Sequence, residues 1–227
     1  MPQTGNGSSN ENAHDMRNEK LSEVTLPAGA PLLMQAQTFP WNGDGYLAGE
    51  VLRLQKEHGL HRAIETGTCL GVTTSWLMHY FHAVHTCELH PPFFRLAKDF
   101  LIGKSGTAYV ECTDSPSFIA SVLKDREGPW FIFLDAHGIS GSGKEACPLL
   151  DELNAIAEVG AKPCLLIHDF QVPGTDFGYD CMPDGRPFNL DLIRPYLNRI
   201  YGEGRWMNNY PNQVAGAMRG WISIEPS

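Results

Sequence analysis

The chain has 227 residues, a formal net charge of -9 and 42% hydrophobic residues. That length suits one α/β domain with a short tail, and the apolar share is enough for a sizeable core. The acidic balance counts against partners recognised through phosphate, nucleic acid and anionic membrane surfaces alike.

No run approaches the roughly 20 apolar residues of a membrane span. The first residues lack the apolar core of a signal peptide, so a cytoplasmic protein is expected. The cysteines are Cys69, Cys87, Cys112, Cys147, Cys164 and Cys181. They form no C-x-x-C pair, which argues against a zinc site of the usual spacing. Cys87, Cys112 and Cys164 sit in apolar runs and read as buried reduced thiols.

Residues 1–20 are rich in Asn, Ser, Gly and Glu and read as a disordered tail. Residues 21–44 carry apolar side chains broken by Pro27, Pro31 and Pro40, an irregular arm that leaves a homodimer contact open. The main domain is expected over 45–227. It begins with a helix over 45–58, where Leu47, Val51, Leu52 and Leu54 fall near helical spacing and Gly59 closes the segment.

The chain then alternates. "RAIET" reads as a strand, "GTCLG" as a turn and "VTTSWLMHYF" as a helix. "AVHTCEL" is the next strand, followed by a helix from about Pro92 to Leu101. "AYVEC" precedes a helix from Ser117 to Leu123. "WFIFLDAH" leads through a loop to a helix from about Cys147 to Val159, and "PCLLIHDF" is the fifth strand. Strands separated by helices imply parallel pairing through right-handed crossovers, with ligands at the strands' C-terminal ends. Residues 171–185 predict a long loop and Asn189 to Tyr201 a helix. "GRWMNNY" and "VAGAMRGWISI", parted by Pro211 and Asn212, suggest a closing hairpin. The expected fold is α/β: a doubly wound, mostly parallel seven-stranded sheet with a C-terminal antiparallel hairpin.

The strongest chemical signal is "AIETGTCLGVTTSWL". An apolar strand ends in Glu65, and Gly67 and Gly71 flank a tight turn into a helix. Gly67 permits a turn closed to residues with a Cβ, and Gly71 lets the helix start approach a ligand. The helix N-terminus would offer N–H groups to a polar ligand. Glu88 ends the next strand, where a carboxylate can accept from both hydroxyls of a ribose. The spacing E-x-G-x-x-x-G departs from the G-x-G-x-x-G of pyrophosphate binders. An acid beside the turn suits a cationic ligand and would repel a pyrophosphate. The plain alternative is a polar strand end and a structural turn.

"ETGTCLG", Glu88 in "CELHP" and "CTDSPSFI" resemble the first three cofactor motifs of class I S-adenosylmethionine-dependent methyltransferases. The resemblance covers roughly residues 46–224 and implies a Rossmann-like fold with S-adenosylmethionine as cofactor. It places Glu65, Gly67, Thr68, Gly71, Glu88, Asp114 and Ser115 at the cofactor. Asp114 would accept from the adenine amino group; its other reading is a helix N-cap ahead of "SPSFIASVL".

The fourth strand ends in "FLDAHG" and the fifth in "LIHDF", so Asp135, His137, His168 and Asp169 are expected to converge. In small-molecule O-methyltransferases of the catechol and macrocin types, which the sequence resembles here, acids matching Asp135 and Asp169 hold Mg²⁺. That metal lowers the pKa of an acceptor hydroxyl. His137 is a candidate general base, or a histidine that orients the loop. The resemblance breaks at the usual third ligand, which is Phe170 here. Either His168 or Gln171 replaces it, or no metal binds. A histidine would favour another divalent metal such as Mn²⁺ or Zn²⁺.

Residues 171–187 are expected above the cofactor as an acceptor pocket, a lid or a plain loop, with Phe177, Tyr179 and Phe188 as apolar walls. Trp41 and Tyr46 would cover the other side. His79, His82 and His85 read as surface or edge residues. "GISGSGKE" matches a P-loop from Gly138 to Lys144, but Glu145 stands where Ser or Thr must hold Mg²⁺. The expected function is methylation of a small-molecule acceptor, with divalent-metal assistance open. An NAD-dependent oxidoreductase and a non-catalytic cofactor-binding relative are the alternatives.

Overall fold

The computed structural model describes residues 39–124, 128–137, 147–212 and 219–227. The expected tail over 1–20, nearly all of the arm and the P-loop-like segment from Gly138 lie outside the described residues. No helix among them is long and apolar enough to cross a membrane.

The described strands are β1 (Arg62–Thr66), β2 (Ala83–Cys87), β3 (Ala108–Glu111), β4 (Trp130–Leu134), β5 (Cys164–His168), β6 (Trp206–Asn209) and β7 (Trp221–Pro226). They form one sheet in the order β3-β2-β1-β4-β5-β7-β6. The first five pair in parallel, and β7 inserts antiparallel between β5 and β6. The expected seven-stranded, Rossmann-like arrangement is therefore present. The chain runs outward through β2 and β3, then returns to the opposite side of β1 as β4. That reversal opens a crevice between the C-terminal ends of β1 and β4.

The helices are α1 (Gly45–Glu57), α2 (Val72–Tyr80), α3 (Pro91–Leu101), α4 (Ser115–Leu123), α5 (Leu149–Val159) and α6 (Leu190–Tyr201). Strand residues alternate between two cores. Ile64, Ile132, Leu134, Leu165, Ile167 and Ile222 pack under α4, α5 and α6. Ala63, Phe131, Phe133 and Leu166 pack under α1 and α2 on the other face. Burial on both faces explains why these strands read as unbroken apolar runs.

Three expectations move. The helix expected from Ser117 begins at Ser115, because Asp114 caps it and Pro116 fits its first turn. His85 is buried on β2, stacked on Tyr109 and edge-on to Trp130, rather than at the surface. Cys112 lies just past β3 and is exposed, whereas Cys87 and Cys164 are buried.

Candidate active site

The turn after β1 is built by close approach. Gly67 has φ +81°, and a Cβ there would stand 2.6 Å from the backbone oxygen of Asp135. The glycine thus lets the first turn lie against the end of β4. Gly71 has φ +77°, and its Cβ would meet Leu101 and Ala97 of α3. Its small size thus lets the start of the following helix pack against α3.

The turn's amides are engaged within the protein. The N–H groups of Gly67 and Thr68 both donate to the Cys87 carbonyl, each at 3.0 Å, and that of Gly71 donates to Thr68 at 2.8 Å. The Cys69 N–H donates to the Glu88 carboxylate at 2.9 Å. Three of these donors stitch the turn to the end of β2, and the fourth, from Gly71, closes the turn on itself. The helix that follows starts at Val72, with Gly71 as its N-cap and no side chain capping it.

Glu65 lies buried beneath the turn, where its carboxylate accepts from Thr74 and from Thr86 at 2.8 Å. Burial pushes its carboxyl up to about 8. The two threonine hydroxyls pull the other way, and the charges of Asp135 and Glu88 add to the rise. Thr68 is buried with its hydroxyl 2.6 Å from that of Thr86. Glu88 is buried at the end of β2, and its second oxygen accepts from the His90 N–H at 2.9 Å. Asp114 is exposed and caps α4 by accepting from the Ser117 N–H at 2.9 Å. Ser115 is buried below it.

The ends of β4 and β5 bring Asp135, His137, His168 and Asp169 together. The Asp135 N–H is fixed by the Thr66 hydroxyl at 3.2 Å. His168 Nδ1 lies 3.3 Å from an oxygen of Asp135 and 3.3 Å from one of Asp169. Burial alone would lower the pKa of His168, but the two carboxylates overcome it and hold the ring up at about 10. Burial likewise opposes ionisation of Asp169, yet His168, His137 and Arg219 keep its carboxyl well below the usual range. Asp169 also has φ +55°, a left-handed conformation that turns its side chain into the cluster. His137 is buried edge-on to Phe188, its Nε2 3.6 Å from Asp169 and 3.8 Å from Asp135. Neither of its ring nitrogens closes a hydrogen bond among the described residues.

Ligand atoms of Asp135, His168 and Asp169 lie within 4.8 Å of one another, close enough for one metal ion. Phe170 is fully buried in the core and takes no part. Gln171 accepts from Asn189 at 3.4 Å, so His168 is the candidate that stands beside the acids.

The sequence reading missed three residues. Asp180 reaches the cluster because the loop after β5 folds back on itself. The Asp180 N–H donates to the Asp169 carbonyl at 2.8 Å, the Phe188 N–H to Asp180 at 2.9 Å and the Gly220 N–H to Gly178 at 2.9 Å. Arg219 donates to both Asp169 and Asp180. Glu152 of α5 is fully buried, and neither carboxylate oxygen closes a hydrogen bond among the described residues. Burial pushes its carboxyl up, against the hydroxyls of Ser115 and Thr66 nearby. The loop is thus tied to the sheet and is not a free lid. Phe188 is buried, Phe177 half-buried and Tyr179 exposed. Trp41 is buried against Trp76 and Phe133, its backbone N–H donating to the Thr73 hydroxyl at 3.3 Å, while Tyr46 is exposed.

No family model matches the sequence, and no curated protein matches it. Solved structures do match. The O-methyltransferase TomG of Streptomyces achromogenes, involved in tomaymycin synthesis and solved with S-adenosylmethionine, gives a TM-score of 0.53 at 14% identity, over 88% of this chain and 87% of that one. An O-methyltransferase of Bacillus cereus, solved with S-adenosylhomocysteine, gives 0.52 at 17% identity, over 91% of this chain and 94% of that one. This chain has their fold. Its sheet carries the glycine turn, Glu88 and the acid–imidazole cluster at the strand ends around the β1/β4 crevice.

Proposed function

We propose that the protein is an S-adenosylmethionine-dependent methyltransferase that methylates an oxygen of a small-molecule acceptor. The observation that carries the reading is the charge of the crevice. Glu65, Glu88 and Asp135 lie within electrostatic reach of one another around a turn in which the amides of Gly67, Thr68, Cys69 and Gly71 are already engaged. Such a site suits a cationic nucleoside and disfavours a pyrophosphate. Its fold, shared with O-methyltransferases solved with that cofactor or its product, supports the same reading.

S-adenosylmethionine supplies an electrophilic methyl group on a positively charged sulfur. A carboxylate has about four acceptor positions. Glu88 uses two on backbone N–H groups and keeps the others for ribose hydroxyls. Asp114 keeps one oxygen free of its cap for the adenine amino group, with Ser115 below it. Glu65, beneath Gly67, Thr68 and Gly71, would be driven to its charged form by the cationic amino-acid end brought beside it. His137 Nε2 takes the proton of the acceptor hydroxyl while the pocket aligns the oxygen with the methyl carbon. Asp135, His168 and Asp169 would hold a divalent cation, which would supply Lewis acidity toward that hydroxyl. The imidazole in that set favours Mn²⁺ or Zn²⁺ over Mg²⁺.

Titration calorimetry with S-adenosylmethionine, S-adenosylhomocysteine and NAD tests the reading. The first two should bind and NAD should not. Glu88→Ala should weaken both by about 1–3 kcal/mol, the loss expected for charged hydrogen bonds in a buried site. Binding of NAD alone, or full affinity in the variant, would remove the cofactor assignment.

A further inference from the structure

Asp169 and Asp180 come from different segments and meet one guanidinium, that of Arg219. Beside them stands His137, whose side chain is 1% exposed and whose Nε2 points to Asp169 at 3.6 Å. Both of its nitrogens lack a hydrogen-bond partner among the described residues. Leaving a buried imidazole unsatisfied is costly, so its position calls for a ligand. A guanidinium only donates. Arg219 can therefore neutralise both carboxylates and still leave the imidazole lone pair unanswered. A divalent ion accepts two carboxylate oxygens and a neutral imidazole nitrogen together. Ligand atoms of His137, Asp169 and Asp180 all lie within 4.8 Å of one another, which is the span one ion needs.

We propose that His137, Asp169 and Asp180 form a second divalent-metal site, separate from the Asp135–His168–Asp169 group, and that Arg219 is the built-in cation that competes for it; an ion bound there occupies the His137 nitrogen that otherwise serves as base, so the two roles exclude one another. Asp169 is shared: Oδ1 faces His168 and Arg219, and Oδ2 faces His137. Arg219 is 40% exposed, so its guanidinium has solvent to move into. The imidazole ligand selects Mn²⁺ or Zn²⁺ over Mg²⁺.

The test counts Mn²⁺ ions bound by the full chain, using electron paramagnetic resonance and calorimetry. Arg219→Met should bind one ion more than the unaltered protein. Adding His137→Ala should remove that ion, and adding Asp135→Asn should leave it in place. Equal counts for Arg219→Met and the unaltered protein overturn the proposal, as does survival of the extra ion without His137. Should Arg219→Met be too unstable to titrate, its melting temperature decides. Mn²⁺ must raise it more than it raises that of the same variant carrying His137→Ala, and an equal rise or none overturns the site. Absence of Mn²⁺ from the unaltered protein would instead count against the Asp135–His168–Asp169 group and leave this inference standing.

Discussion

Burial lifts the Glu65 carboxyl to about 8, from an ordinary value of 4.5. At pH 7 it is then about nine-tenths protonated. A sulfonium or ammonium brought beside it favours the charged form and lowers that value. Binding of S-adenosylmethionine at pH 7 should therefore release a proton from Glu65. Calorimetry in buffers of differing ionisation enthalpy should detect between about half and one proton released per ligand. Glu65→Gln should release none and bind more weakly. The same shift fixes a sign for stability. The folded chain holds a proton that the unfolded chain gives up above about 4.5, so this group's contribution falls as pH rises from there to about 8. In Glu65→Gln that slope should be absent from urea-unfolding midpoints measured across the window. Release of a proton by the variant would place its source elsewhere.

Between β1 and α2 the two glycines do different work, and substitution separates them. Both have positive φ, so alanine at either should cost about 1–2 kcal/mol for the left-handed backbone. At Gly71 the new methyl meets the side chain of Leu101 at 3.3 Å, which can give way. At Gly67 it meets the Asp135 carbonyl at 2.6 Å, which cannot move without shifting the end of β4. Overpacking of that kind adds about 1–3 kcal/mol. Gly67→Ala should thus lose clearly more stability than Gly71→Ala in urea unfolding; equal losses would mean that the β1/β4 contact is loose. The element level is also where the sequence was most legible. Strands buried on both faces are apolar throughout, and Glu65, Glu88, Asp135 and Asp169 sit at or just past strand ends, so locating the strands located the acids. Asp180 and Arg219 had no such guide. One sits in a Gly- and Pro-rich loop and the other just before β7, and only backbone bonds between distant segments bring them together. The lone acid in "FGYD" was the one available hint. Glu152 was hidden because an acid in a helix's first turn reads as an ordinary partner of the helix dipole.

For the whole molecule, charge discriminates between ligands. The chain carries 26 acidic against 17 basic residues. The crevice gathers several of those acids where low-dielectric walls focus their field. S-adenosylmethionine is a net cation at neutral pH, its product S-adenosylhomocysteine is neutral overall, and NAD carries a pyrophosphate. Salt screens the first attraction and leaves the second nearly untouched. Raising ionic strength from about 50 mM to about 500 mM should therefore weaken S-adenosylmethionine binding several-fold and change that of S-adenosylhomocysteine by less than about twofold. A dinucleotide site would respond with the opposite sign, since screening would relieve repulsion of its phosphates and binding would tighten with salt. The slope of affinity against salt thus reads the sign of the crevice without reference to the acceptor. Parallel slopes for S-adenosylmethionine and its product would show that the acids of the β1/β4 crevice are silent toward the cationic sulfur.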